Sequence, residues 1–155
     1  MLLSIPYRVC GGIMAALPSS APTVIASQVA AVLEAGVHAG LDRSALLGAA
    51  GLGDIGTHFP DSDPKWEGAN SLLFLEHAQK LLAQKNFTIE HVDAVVITEK
   101  PKLGPHFPKM REALAKALGV AAEKIHLKAK TNEGVDAIGR GEAIAAHVVA
   151  TLSSR

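Results

Sequence analysis

Residues 92–98, Val92-Asp93-Ala94-Val95-Val96-Ile97-Thr98, decide the fold. A nearly continuous apolar, β-branched run of this length reads as a buried strand. Upstream of it, Asn70 or Ser71 caps a helix running to about Lys85, with Leu72, Leu75, Ala78, Leu81 and Leu82 at core spacing. Downstream, Lys100–Pro108 carries three prolines and makes a rigid loop. Lys109–Leu118 follows as an amphipathic helix that Gly119 ends. Ile125, Leu127 and Ala129 then alternate with Lys124, His126, Lys128 and Lys130, which predicts a half-buried strand with a cationic outer face. Glu142–Leu152, rich in Ala and Val, suits a helix or a strand. Helix and strand patterns in alternation give an α/β unit from about residue 44 onward.

Working toward the N-terminus, Ala45–Leu52 is apolar and runs into a turn at Gly53-Asp54-Ile55-Gly56. His58–Gly68 (HFPDSDPKWEG), with two prolines and three acids, reads as a structured loop. Thr23 or Ser27 caps a predicted helix to about His38, with Val29, Val32 and Leu33 on one face. No residue between Arg8 and Glu34 is charged, yet Pro18, Ser19, Ser20, Pro22 and Thr23 make that run too polar and broken for a membrane span. A secretory signal with Cys10–Leu17 as its apolar stretch fits poorly, because two glycines interrupt it. No repeat or linker divides the chain, so one domain over residues 1–155 is expected.

Fifteen Lys and Arg balance fifteen Asp and Glu, which argues against a nucleic-acid partner. With 48% apolar and 19% charged residues, intrinsic disorder is excluded. Cys10, the one cysteine, forms no internal disulfide.

Polar residues capable of chemistry gather in loops at the ends of these elements. Asp54, Asp61 and Asp63 offer three carboxylates within ten residues, suited to substrate hydroxyls or a hydrated divalent ion, or simply to turns in a solvated loop. Thr98-Glu99-Lys100-Pro101-Lys102-Leu103-Gly104 sets backbone amides beside two lysines, a cradle for a phosphate or a base if it is not an ordinary Pro-rich loop. Lys128–Glu133 precedes Gly139-Arg140-Gly141-Glu142; an arginine between glycines can fork onto phosphate, or pair with Glu142 on the surface. Thr131 offers a hydroxyl and Glu133 a hard oxygen for Mg²⁺. His38, His58, His77, His91, His106, His126 and His147 fall at no metal-binding spacing. No Walker, dinucleotide or GxSxG signature is present, which points to phosphate chemistry by positioning rather than by a covalent nucleophile.

These clusters, in this order, resemble 2-C-methyl-D-erythritol 2,4-cyclodiphosphate synthases. The resemblance is carried by ALLGAAGLGDIGTHFPDSDPKWEGANS at 45–71, EKPKLGPHFPKMR at 99–111, LKAKTNEG at 127–134 and IGRGEAIA at 138–145. It implies an α/β (α+β) subunit with helices on one face of a mixed sheet, and a cytoplasmic homotrimer whose sites lie between neighbouring subunits. The implied reaction is a cyclisation in non-mevalonate isoprenoid biosynthesis. The 2-phosphate of a cytidine-diphosphate-linked methylerythritol attacks its own β-phosphorus and CMP leaves, with no covalent enzyme adduct. By position, Asp54, Ile55, Gly56, Phe59, Pro60, Asp61, Ser62 and Asp63 hold the methylerythritol phosphate end. Thr98, Glu99, Lys100, Pro101, Lys102, Leu103 and Gly104 wrap the cytosine. Lys130, Thr131, Asn132 and Glu133 face the diphosphate, with Thr131 stabilising the transition state, Glu133 at a Mg²⁺ and Arg140 on a phosphate.

The resemblance further implies a catalytic zinc- or manganese-type ion, held by an Asp-x-His after a glycine-rich strand and by a later histidine. Tyr7-Arg8-Val9 resembles that opening, but Cys10-Gly11-Gly12-Ile13-Met14-Ala15-Ala16 has neither acid nor histidine. Ungapped counting puts the third ligand on Gly40, a mobile-loop His-Ser on Val32-Leu33, and Ala137 where an aromatic is usual. Loss of the catalytic-ion site is therefore expected. Two alternatives to a working synthase accompany that expectation: a catalytically dead trimer that binds CMP or CDP, and the product of a frame-shifted gene altered over residues 10–44.

Overall fold

The computed structural model describes residues 43–66 and 69–154. The predicted helix ending near His38, and the positions expected to lack the catalytic-ion ligands, lie outside the described residues.

The 92–98 run forms the C-terminal part of a longer central strand, β1 (Phe87–Ile97). Strand β2 (Ile125–Lys130) pairs with it in parallel, from Val92 opposite Ile125 to Ile97 opposite Lys130. Strand β3 (Ala145–Ser154) pairs antiparallel on the other side, from Phe87 opposite Ser154 to Ile97 opposite Ala145. The result is a mixed sheet in the order β2-β1-β3. The ambiguous last segment is thus a strand: Ala and Val fit either period, and ten residues of pairing with β1 settle it. β1 begins five residues before the run that announced it. The register shift between Ile89 and His91 breaks the alternation there and hides the strand's first half from a periodicity reading.

Burial along β1 is one-sided rather than complete. Val92, Ala94 and Val96 are buried, while Asp93, Val95 and Ile97 are half-buried. Helices α1 (Arg43–Ala49), α3 (Ser71–Gln84) and α4 (Phe107–Leu118) cover the buried face. Leu46 of α1, Leu75 and Leu82 of α3, and Leu114 and Leu118 of α4 close over Ile89, Val92 and Ile125 in one cluster. Each such leucine contributes about 1.5–3 kcal/mol by leaving water. A second cluster of Ala94, Val96, Leu103 and Ile144 continues that core toward the C-terminal end of β1.

Helix ends follow the expected chemistry. The Asn70 side chain accepts the Leu72 amide at 2.9 Å and caps α3. Gly119 ends α4 in a left-handed turn at φ 64°. α4 starts at Phe107, ahead of the predicted Lys109, because Pro108 in the first turn has no need of an amide partner. The turn predicted at 53–56 leads into the short helix α2 (Ile55–His58). The sheet face away from the helices carries His91, Asp93, His126 and Lys128. There Lys128 pairs with Asp93, and the His91 and His126 rings stack at 4.8 Å.

Candidate functional site

Parallel pairing brings the C-terminal ends of β1 and β2 side by side, the place where an α/β sheet exposes unsatisfied backbone to a ligand. A cavity of about 280 Å³ opens there, lined by Thr98, Glu99, Pro101, Lys102, Leu103, Gly104, Phe107, Ala129, Lys130 and Thr131. Two clusters about 30 residues apart in sequence thus meet in one space. A further cavity, of about 240 Å³, lies at the far end of β1 beside Gln79, Asn86, Phe87, Thr88 and Gly119. Its lining holds no titratable group, so the chemistry favours the first.

The loops around the first cavity are tied together. The Thr98 amide donates to the Lys130 carbonyl at 2.9 Å, extending the ladder by one bond, and the buried Thr98 hydroxyl donates to the Lys100 carbonyl at 2.9 Å. Glu99 Oε1 accepts the amides of Asn132 at 2.7 Å and Gly134 at 3.3 Å. The Thr131 hydroxyl donates to Glu133 Oε1 at 2.7 Å. Glu133 and Gly134 both take left-handed backbone, at φ 52° and 78°. Asn132 closes the turn, its side-chain amide donating to the Val135 carbonyl at 2.9 Å. The short helix α5 (Asp136–Gly139) follows, and Gly139 packs directly on Gly134. Asp136 accepts the Ile138 amide, which holds its carboxyl below the ordinary value.

Arg140 and Glu142 form a two-pronged pair, Nε to Oε1 and Nη2 to Oε2, each at 2.9 Å. The pairing raises the guanidinium pKa and lowers that of the carboxyl. Both groups are exposed, so the pair stabilises little while keeping the guanidinium in a fixed plane.

The 54–63 cluster sits on its own structure. Asp54 caps α2, accepting the Thr57 amide at 2.9 Å and its hydroxyl at 2.8 Å, and these bonds lower its pKa. Asp63 pairs with Lys65 at 2.7 Å, which lowers its pKa in turn. Asp61, Ser62 and Pro60 are exposed; Ile55 is half-buried and Gly56 exposed. Phe59 is buried, its ring packed edge-on against Phe74 at 4.8 Å and Trp66 at 5.0 Å. Its side chain is therefore part of the core. His77 joins the same cluster, and burial there lowers its pKa. Trp66 Nε1 is buried without a hydrogen-bond partner among the described residues.

Sequence reasoning missed Phe107, which lines the cavity. Phe107 could have been found, as an aromatic residue at the exit of a proline-rich loop. It also missed that Glu99 turns to the 132–134 backbone.

Among the described residues, no group of three or more His, Cys, Asp or Glu is placed to hold a metal ion. Glu133 presents one exposed carboxylate at the rim, with Oε1 taken by Thr131 and Oε2 available to a hard cation carried in by a ligand.

Comparison with known proteins agrees with this geometry. The sequence profile of the YgbB family matches residues 32–153. The 2-C-methyl-D-erythritol 2,4-cyclodiphosphate synthase of Symbiobacterium thermophilum is 50% identical over 119 residues, 77% of this chain and 74% of the relative. The bifunctional IspDF of Campylobacter jejuni superimposes with a TM-score of 0.71 at 33% identity, over 80% of this chain and 32% of that one. The Plasmodium falciparum IspF in its CDP complex gives a TM-score of 0.62 at 31% identity, over 78% of this chain and 68% of that one. Nothing in these matches favours a catalytically dead or frame-shifted product, and the segment on which that alternative rested lies almost wholly outside the described residues. Profile, sequence identity and superposition agree: the chain belongs to the YgbB family, the family of its cyclodiphosphate synthase relatives.

Proposed function

We propose that this chain cyclises 4-diphosphocytidyl-2-C-methyl-D-erythritol 2-phosphate to the 2,4-cyclodiphosphate and releases CMP, as a phosphorus–oxygen lyase. The observation that carries the reading is the cavity joining the 98–104 loop to Lys130 and Thr131, in a chain 50% identical to a named synthase over 119 residues.

In this reading the 98–104 loop takes the cytosine against backbone groups, with Leu103 and Phe107 supplying apolar walls. The cationic Lys130 and the Thr131 hydroxyl face the diphosphate. An oxygen of the 2-phosphate attacks the β-phosphorus; the bond from that phosphorus to the bridging oxygen breaks, and the electron pair leaves with CMP. No protein group becomes attached, so the work of the chain is positioning and charge compensation. Thr131 is aligned for this by its bond to Glu133 and donates toward the phosphoryl oxygens once the ligand competes for its hydrogen. Arg140, held in plane by Glu142, adds a forked contact to a terminal phosphate. Asp54, Gly56, Asp61 and Asp63 take the methylerythritol end, and we place them opposite the cavity of a neighbouring subunit in a homotrimer. Glu133 would hold a divalent ion on the diphosphate, and that ion would supply neutralisation of charge at phosphorus. Residues 1–155 act as one domain, and the site of action is the cytoplasm. No described helix is long and apolar enough to cross a membrane.

The test is CMP release from the synthetic substrate by the purified full chain, with Mg²⁺ and Zn²⁺ or Mn²⁺. Metal-dependent release abolished by EDTA is expected. Binding of CDP by calorimetry with no CMP release under any metal overturns the catalytic reading.

A further inference from the structure

Backbone N–H groups of a tight turn can converge into a small anion-binding concavity, the kind that phosphates occupy elsewhere. Residues 132–135 form such a turn here: the Val135 amide donates to the Asn132 carbonyl at 2.9 Å, and Glu133 and Gly134 between them are left-handed, at φ 52° and 78°. The concavity is already filled: Glu99 Oε1 reaches across from the end of β1 to the amides of Asn132 at 2.7 Å and Gly134 at 3.3 Å. From the other side Gly139 abuts the Gly134 backbone so closely that no side chain fits between them. The Thr131 and Glu133 side chains, which bond each other, project from the turn thus fixed.

We infer that Glu99 is a positioning residue: its carboxylate stands in for a ligand phosphate at the 132–134 amides and so sets the Thr131–Glu133 rim. Resting on the proposed cyclisation, this deepens it by moving Glu99 from the cytosine contacts to the frame behind the diphosphate. Two consequences follow from the geometry. With the Asn132 and Gly134 amides engaged by Glu99, those two groups do not reach substrate phosphate. The β1 end that carries the nucleoside loop is also clasped to the loop carrying Thr131, so the two halves of the cavity keep a fixed separation.

The experiment compares Glu99→Ala and Glu99→Gln in the full chain. Gln keeps an oxygen acceptor for both amides and drops the charge; Ala removes both. In the unliganded proteins, hydrogen exchange at the Asn132 and Gly134 amides is expected to quicken at least about tenfold in E99A, the loss of about 1.4 kcal/mol of protection, and to stay closer to the parent in E99Q. In CMP release, E99A is expected to lose about 10²-fold in kcat, the scale of a misplaced catalytic group, with KM for substrate changing less than threefold. E99Q recovers at least tenfold of that loss. Unchanged exchange in E99A, an effect confined to KM, or an E99Q defect as deep as that of E99A each overturns the assignment. Should E99A fail to fold by circular dichroism, Glu99→Asp, one methylene short of the amides, takes its place in the same comparison. The exchange measurement requires no turnover, so a chain inactive toward the substrate refutes the cyclisation while the clasp is still judged on its own.

Discussion

Replacing Gly139 by alanine tests whether the rim of the cavity is as tightly framed as described. An added Cβ there lies 2.1 Å from the carbonyl carbon of Gly134 and 2.7 Å from its Cα and oxygen. Carbon atoms settle near 3.5 Å, so one backbone segment must retreat by roughly 1.4 Å. The φ of Gly139 is outside the left-handed region, and alanine itself suits a helical turn, so collision is the whole effect. Overpacking of this kind costs about 1–3 kcal/mol of stability. Gly134 is the partner that yields, because it lies in an exposed turn, and the shift carries Thr131 and Glu133 with it. A displacement of that size at a positioning group lowers turnover about 10²-fold. The assay is kcat for CMP release beside the thermal midpoint. The comparison variant is Gly134→Ala, which meets nothing within 4 Å and pays only for its left-handed φ of 78°, about 1–2 kcal/mol. A G139A protein that turns over within threefold of the parent refutes the reasoning, since the two glycines would then not be in contact in the working enzyme.

Three further outcomes rest on the same description. Leu82→Ala, at a position 1% exposed in the main cluster, lowers unfolding free energy by about 2–5 kcal/mol in a urea titration; under 1 kcal/mol would mean α3 does not pack on β1 as described. Asn70→Ala removes the cap of α3 and costs about 1 kcal/mol by the same measurement, whereas Asn70→Asp retains it. The Asp54 carboxyl titrates below the ordinary 3.8 in a carbon-detected NMR pH series, because the Thr57 amide and hydroxyl favour its ionised form. Its contribution to stability is therefore full above the unfolded value and lost as pH falls through the lower folded one, with exchange of the Thr57 amide quickening in that window. A titration at or above 3.8 removes the capping role.

Much of the architecture can be read from local pattern. The α3 stripe from Leu72 to Leu82, the Asn70 cap, the Gly119 stop and the Ile125–Leu127 alternation are all short-range signals, and each matches an observed element. The first half of β1 was illegible because an irregular pairing at Ile89 and His91 interrupts the period. β3 was ambiguous because small apolar residues suit helix and strand alike until a partner strand decides. The cavity was half legible. Both of its clusters stood out as polar loops at element ends, and parallel pairing of β1 with β2 does the rest. The Glu99 clasp and the Gly134–Gly139 contact join residues through register alone, which no local spacing reports. Spacing is equally silent on Phe59, whose ring turns away from its polar motif neighbours into the Trp66 and Phe74 cluster.

The central strand has both of its edges occupied, and the floor of the cavity is its direct continuation through Thr98. Among the described residues this doubly paired segment thus underlies the site proposed for the pyrimidine, whereas Glu133 and Gly134 sit on an exposed bend outside the sheet. As a sample is warmed, melting should begin at that bend and reach the floor only when the whole sheet gives way. Nucleoside recognition then outlasts turnover, and heat inactivation leaves a protein that still grips its ligand but no longer transforms it.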